Sequence, residues 1–510
     1  MRPRTLLRRR RLLLGGALAV AAPAVQARAT PFVFTEDPFS LGVASGAPRP
    51  DGVVLWTRLA PQPLDGGGMP DETVTVDWQI AEDDSFSRVA ARGEAQAEPA
   101  LGHSVHVEVR GLAPGRPYWY RFRAGNAASP IGRTRTAPAA DARPDRLRFA
   151  FASCQQYEQG YYGAWRDMAR RDLDLVVHLG DYIYESSWGS PLVRRHGAGI
   201  PTTLAEFRTR YALYKSDRDL QAAHAAFPFL AIWDDHEVAD DYADDRTYTV
   251  RDPGRFLAIR AAAYQAWWEH LPLPLSMRPR GPSATIYDAW RFGDLLELLL
   301  LDDRQYRSQP ACVNGGRPGI VRDCAERSLE ERTMLGAAQE AWLDERLRRA
   351  SGRWTLVGQQ TLMAELQRAG SDGPRYWMDG WDGYPNARRR LLEAIERHRP
   401  ANPVVIGGDR HAYFVADLAL ADGRPLASEF VGTSITSQGP TEKALQEAVR
   451  ANPHIKYARG DRRGFATVEL TRAQCSVGFE AVDDVKVETS PVHRLASFVV
   501  ENGRPGAHTA

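Results

Sequence analysis

Four apolar runs in this chain are each followed at once by residues able to bind a metal ion. Leu147 to Ala152 runs into Ser153-Cys154-Gln155, and Leu173 to Leu179 into Gly180-Asp181-Tyr182-Ile183-Tyr184. Phe227 to Trp233 runs into Asp234-Asp235-His236-Glu237, and Pro403 to Ile406 into Gly407-Gly408-Asp409-Arg410-His411. Runs this short and this apolar read as buried strands. In an open α/β sheet, ligands gather where strands end. Four such ends carrying thiol, carboxylate, phenol and imidazole predict one polynuclear metal site.

The rest of the chain frames these strands. From Leu147 onward apolar runs alternate with helical patterns such as Gly160 to Arg171 and Met334 to Arg349, which predicts βαβ units and an α/β domain over 146–500. Leu295 to Leu301 and Trp354 to Gly358 read as further strands, and Phe465 to Leu470 with Cys475 to Val482 as a hairpin. Residues 36–138 differ in texture. Short alternating runs at Gly52 to Thr57, Thr73 to Gln79, His103 to Val109 and Tyr118 to Phe122 predict a small all-β sandwich. The turn Leu112-Ala113-Pro114-Gly115 leading into Tyr118-Trp119-Tyr120 resembles that of a fibronectin III module. Thr136 to Arg146 reads as the linker.

A chain of 510 residues is too long for one core. Residues 1–29 form a leader: basic Arg8 to Arg11, apolar Leu12 to Val25, and small Ala27-Arg28-Ala29. The arginine run favours a twin-arginine signal, and hence the twin-arginine translocase as a partner, over an ordinary Sec leader. The mature protein is therefore expected to be periplasmic or secreted. With 65 basic and 64 acidic residues, no net field calls for nucleic acid or an anionic membrane. No mature segment reads as a membrane span. In an exported protein, Cys312 and Cys324 would close a short disulfide loop, the alternative being two free thiols. Cys154, where a strand stops beside Gln155 and Gln156, suits a ligand or nucleophile better than a staple.

Each motif carries its own chemistry. Gly180 lets the chain turn sharply and brings Asp181 to the sheet edge, where one carboxylate can bridge two cations. Tyr184 can return to the same place. Thiolate with phenolate favours a transition metal of high charge, with iron the first choice. Successive acids at Asp234 and Asp235 after an apolar strand need a cation or a helix N-terminus to neutralise them. His236 beside them is expected to have a raised pKa and to serve as a general acid. Arg410 can reach a phosphate oxygen or make a structural ion pair with the surrounding acids.

Together the Ser-Cys-Gln, His-Leu-Gly-Asp-Tyr-Ile-Tyr-Glu, Trp-Asp-Asp-His-Glu and Gly-Asp-Arg-His strings resemble the alkaline phosphatase D (PhoD) branch of the calcineurin-like metallophosphoesterases. Arg208 to Tyr214, Leu301 to Arg307 and Met378 to Tyr384 resemble it too. The resemblance implies a calcineurin-like α/β/β/α sandwich preceded by the small β-sandwich. It implies ferric iron at Cys154, Asp181, Tyr184 and His411, and calcium at Asp181, Asp235 and Asp409, with Asp181 bridging. It places His236 and Arg410 in catalytic roles, and implies an exported phosphatase that hydrolyses phosphate esters by attack of a metal-bound hydroxide.

Three other functions compete. A phosphodiesterase or phospholipase D-type enzyme would share every motif. A degenerate hydrolase acting as a carbohydrate binder could use Trp56, Trp78 and Trp119 as platforms, although tryptophans in strands are more often core. A cysteine hydrolase would use Cys154 with His236. Gln438 to Gln446 and Asn452 to Lys456 are the segments that would cover the site.

Overall fold

The computed structural model describes residues 32–510; the leader motifs lie outside the described residues. Strands Arg146–Ala152, Leu175–Leu179 and Pro228–Ile232 lie side by side and parallel in a ten-stranded sheet. Their common direction is the decisive feature. Leu175 pairs with Phe149 and Val176 with Phe229, so the three carboxyl ends emerge together along one edge. Beyond Arg146–Ala152 the sheet continues through the antiparallel hairpin Arg463–Thr471 and Gln474–Val482, as expected.

The fourth ligand-bearing strand, Pro403–Gly407, sits inside a seven-stranded sheet, parallel to Trp354–Gly358 and Pro425–Val431. The two sheets pack face to face, because strand side chains alternate. Along Leu296–Leu300, Leu296, Leu298 and Leu300 join the core that also holds Phe149, Phe151 and Ile232. Leu299 turns the other way, into a second core with Leu343, Leu391 and Ile395 of helices Gly336–Arg349 and Pro385–His398. Glu297 shares that outer face and is buried, and Arg346 of the covering helix meets it at 2.9 Å. Each buried leucine of the inner face contributes about 1.5–3 kcal/mol. Close to the carboxyl ends, an isolated bridge between Ser153 and Ser434 ties one sheet to the other.

Helices Leu204–Lys215, Arg218–Ala226 and Pro253–His270 add Phe207, Tyr211, Leu220 and Trp267 to the first core. The first opens with a capping box between Thr203 and Glu206, and the last with Asp252 before Pro253. The helix expected over Gly160 to Arg171 is shorter, Gly163–Met168. No helix among the described residues is long and apolar enough to cross a membrane.

Residues 43–135 do not stand apart as the sequence led us to expect. Val43–Arg49 pairs in parallel with Pro228–Ile232, and Gly52–Arg58 and Ser104–Arg110 extend the long sheet from it. A separate five-stranded sheet built on Val74–Ala81, Val89–Ala97 and Pro117–Ala124 packs against that extension. Val53, Leu55 and Val107 meet Val76, Ile80, Tyr120 and Phe122 between them. Trp56 is wholly buried and Trp78 and Trp119 half-buried, so none is an open sugar platform. The whole is a mixed α/β chain in which sheet predominates.

Candidate metal centre

At three of the four strand ends the chain leaves the sheet through backbone that ordinary residues avoid. Cys154, Asp181, Asp409 and His411 have φ of 60°, 56°, 58° and 52°. Left-handed conformations at residues other than glycine cost about 1–3 kcal/mol each and persist only where surroundings enforce them. Here the loops enforce one another. Cys154 N donates to Gly180 O and Gln155 N to Asp181 O, both at 3.1 Å. The Glu237 carboxylate accepts from Asp181 N at 3.1 Å, Tyr182 N at 2.6 Å and Asp234 N at 2.9 Å. One buried side chain thus clamps two strand ends together.

Gly180 turns with φ +105°, and a Cβ there would lie 2.4 Å from Asp234 Cβ. Gly180→Ala is therefore expected to prise the loops apart, costing about 2 kcal/mol or more of stability. It should lower both the thermal midpoint and metal uptake. An unchanged midpoint and unchanged metal titration would show that the loops are not wedged here.

The clamped loops bring the expected residues to one place. Cys154, Asp181 and His411 offer ligand atoms within 4.8 Å of one another. So do Asp181, Asp235 and His236, and so do Asp181, Asp234, Asp235 and Asp409; Asp181 belongs to all three groups. The Tyr184 hydroxyl donates to Asp181 Oδ2 at 2.8 Å and lies 3.1 Å from His411 Nε2. His411 Nδ1 meets the Gln438 carbonyl at 2.8 Å. A carbonyl accepts only, so the proton sits on Nδ1 and the Nε2 lone pair faces Asp181 and Tyr184.

The electrostatics are those of an anionic nest. Burial, then the neighbouring Asp181 and Asp409, pushes the Cys154 thiol far up. Burial and Asp181 do the same to Tyr184. Asp181 is driven up by burial against the pull of His236, and Asp409 rises to about 6, again mainly by burial. Burial lowers His411 to about 3. His236 moves the other way: burial opposes its charge, but Glu185, Asp235 and Asp181 outweigh it and hold the imidazolium. Its Nδ1 lies 2.7 Å from Glu185 Oε2. Asp181 Oδ1, Asp234 Oδ2 and Asp235 Oδ1 are buried without a hydrogen-bond partner. Carboxylate oxygens left unpaired in a dry site are costly unless a cation meets them. The residues therefore fit a metalloenzyme. A thiol held this far from ionising, with its hydrogen bond spent on Ser153 Oγ at 3.1 Å, is poorly placed as a free nucleophile.

The cluster forms the floor of a cavity of 720 Å³ whose walls include Trp188, His236, Arg317, Trp377, Arg410 and His411. Asp235 and Asp409 open into it, whereas Cys154 and Tyr184 are buried beneath. Asp234 and Asp235 cap no helix; the segment after them is a turn. Arg410 makes no ion pair with the surrounding acids among the described residues. Its guanidinium stacks 3.8 Å from the Trp377 ring instead. Cys312 and Cys324 are bridged, and the loop they close supplies Arg317 and Ile320 to the wall. Gln438 to Pro440 also line the cavity, but Asn452 does not cover it: its side chain is buried against the Gln367 backbone.

Several residues that organise the site were given no role from the sequence, although Arg304, Arg307 and Asp379 lie in strings that carry the family resemblance. Arg304 is buried and ion-paired with Asp234, with Asp379 at 2.7 Å and Asp235 at 3.6 Å. Arg307 holds Asp379 from its other side at 2.6 Å. Thr361 Oγ1 donates to Asp409 Oδ2 at 2.7 Å. Glu185 and Glu237 lie inside quoted motifs, but their work as orienting groups depends on loops distant in sequence.

The chain is similar to known proteins over nearly all of its length. The family model described as "PhoD-like phosphatase" matches residues 149–479, and that described as "PhoD-like phosphatase, N-terminal domain" matches 24–138. The chain is 42% identical to alkaline phosphatase D of Bacillus subtilis (strain 168), over 97% of this chain and 86% of that one. A solved structure described as "Structure of PhoD" superposes with a TM-score of 0.89 at 41% identity, covering 94% of this chain and 93% of the other.

Proposed function

The chain belongs to the PhoD-like phosphatase family, and on that premise we propose that it is an exported phosphatase working with iron and calcium. Cys154, Asp181, Tyr184 and His411 would hold the iron, since thiolate, phenolate and imidazole suit a transition metal. Asp181, Asp235 and Asp409 would hold calcium, since carboxylates alone suit a hard cation. The observation that carries the reading is Asp181, buried where the two ligand sets meet and with one oxygen unpaired. When bound, the ions supply Lewis-acid charge and a water acidic enough to attack phosphorus.

The chain's own residues do the rest. Arg410 presents a guanidinium to the phosphate oxygens from the cavity wall. His236, held as the cation with Nδ1 committed to Glu185, keeps Nε2 to protonate the departing alkoxide. The burial of Cys154, Asp181 and Tyr184 excludes bulk water from the deepest ligands. The fold supporting this would be a calcineurin-like α/β/β/α sandwich over 146–500, joined through its long sheet to a fibronectin III-like unit over 36–138. Export through a twin-arginine leader at 1–29 to the periplasm or beyond is supported by the bridge between Cys312 and Cys324, the chemistry of an oxidising compartment.

The test is elemental analysis of protein purified without added metal, with activity on a phosphate monoester measured before and after calcium chelation. Iron and calcium in the active protein, and loss of activity on chelation restored by calcium, are expected. Active protein holding neither ion would refute the reading. A second reading, phosphodiesterase or phospholipase D-type activity, draws on the cavity, whose 720 Å³ leaves room for a second ester substituent. The kcat/KM ratio between a monoester and its diester decides between them.

A further inference from the structure

Three arginines line the cavity, and only one of them is committed. Arg317 reaches Asp240 at 3.0 Å and Asp241 at 3.4 Å. Arg368 and Arg410 have no ion pair among the described residues, and Arg410 Nε is buried without a hydrogen-bond partner. Both line the same cavity and, with Trp377, a small recess beside it; burial first, and then Arg410, lowers Arg368 to about 10. Asp382, the acid that both feel, is engaged elsewhere. It accepts from Leu366 N at 3.3 Å and lies 3.4 Å from Arg388. Two partly buried guanidiniums on one wall, neither in an ion pair, make a site to which an anion is drawn.

Their positions are not equivalent. Arg410 stands between Asp409 and His411, two of the candidate ligands, and lines the cavity with both. Arg368 instead comes from the segment that bridges to Arg375, at the head of the strand carrying Trp377. Trp377 shares this wall with both arginines and carries Arg410 on its face. Its strand Arg375–Trp377 pairs with Ile320–Arg322 inside the disulfide-closed loop. The wall is thus built and held, and the guanidinium of Arg368 has no task in the reaction described above.

We propose that Arg368 is a specificity-determining residue that, beside Arg410, binds a second phosphate carried on the leaving group. The preferred substrates are then esters with two phosphates, one over the acid cluster and one against Arg368. The proposal rests on the phosphatase reading and narrows its substrate class. A guanidinium meets phosphate with two parallel hydrogen bonds, a geometry a lysine does not reproduce.

The experiment compares kcat/KM for propyl phosphate and propanediol bisphosphate, which differ only in the second phosphate, in the metal-loaded enzyme. The wild type is expected to favour the bisphosphate by about tenfold or more, the worth of hydrogen bonds to a charged group. Arg368→Gln should bring the ratio close to one, with Arg368→Lys between. Thermal midpoints of both variants confirm that they are folded. A wild type that hydrolyses propyl phosphate without preferring the bisphosphate overturns the subsite and leaves the phosphatase reading intact. A wild type inert toward both overturns the reading beneath it. Equal losses on both esters in Arg368→Gln would place Arg368 at the reacting phosphoryl and overturn the proposal as well.

Discussion

Asp181→Asn is expected to lower kcat on a phosphate monoester by about a thousandfold or more, the scale of several kcal/mol of lost charge stabilisation. The substitution keeps the shape of the side chain and removes one negative charge and one bridging oxygen. Asp181 is the residue shared by the ligand groups of Cys154 and His411 and of Asp235 and Asp409. Its loss therefore weakens both ligand sets, where loss of Cys154 or of Asp409 weakens one. Elemental analysis should show both metals depleted. The same change should not destabilise the metal-free protein. There Asp181 is buried among Asp235, Glu237 and Asp409, and its ionised form is disfavoured. A neutral amide relieves that repulsion, so the metal-free thermal midpoint should hold or rise while the gain in midpoint on adding metal shrinks. A fully active Asp181→Asn enzyme would remove Asp181 from the centre of the chemistry.

The convergence of Cys154, Asp181, Asp235 and His411 was legible in the sequence because each residue sits at the end of its own apolar strand. Strand ends need no long-range information once the strands are known to be parallel and adjacent. What orients these residues was not legible. Glu237 has its place because its two oxygens collect backbone donors from a loop more than fifty residues earlier. Thr361 reaches Asp409 from a separate loop of the second sheet. No local period marks either. The joining of the N-terminal strands to the long sheet was hidden for a different reason. Val43–Arg49 reads Val-Ala-Ser-Gly-Ala-Pro-Arg, with a single β-branched residue. Its strand character comes from the exposed edge of Pro228–Ile232 that it covers, not from propensity. The same edge effect turned an apparently separate sandwich into one sharing a sheet with the rest.

Arg304 illustrates the limit most sharply, and its replacement should have the largest effect on stability. Its guanidinium is buried and contacts Asp234, Asp379 and Asp235, while Arg307 shares only Asp379. Removing one partner from a buried ionic network leaves the others uncompensated, at a cost of about 3–5 kcal/mol. Arg304→Met keeps most of the volume and none of the charge, so the loss is electrostatic rather than a cavity. Its sign can be checked by pH. Burial is the largest influence on Asp235 and Asp379 and pushes both up, but Arg304, with Arg307 on both and His236 on Asp235, together outweighs it and holds both below the ordinary carboxylate value. Groups depressed on folding contribute stability above their unfolded pKa, and that contribution disappears as pH falls through the folded one. The deficit of Arg304→Met measured by urea unfolding of metal-free protein should therefore be largest near neutrality and shrink below about pH 4. Adding Asp234→Asn should recover part of it, because the closest orphaned carboxylate is then gone. A variant with the wild-type unfolding midpoint at neutral pH, or a deficit that grows in acid, would mean that the acids of this site are balanced by something other than Arg304.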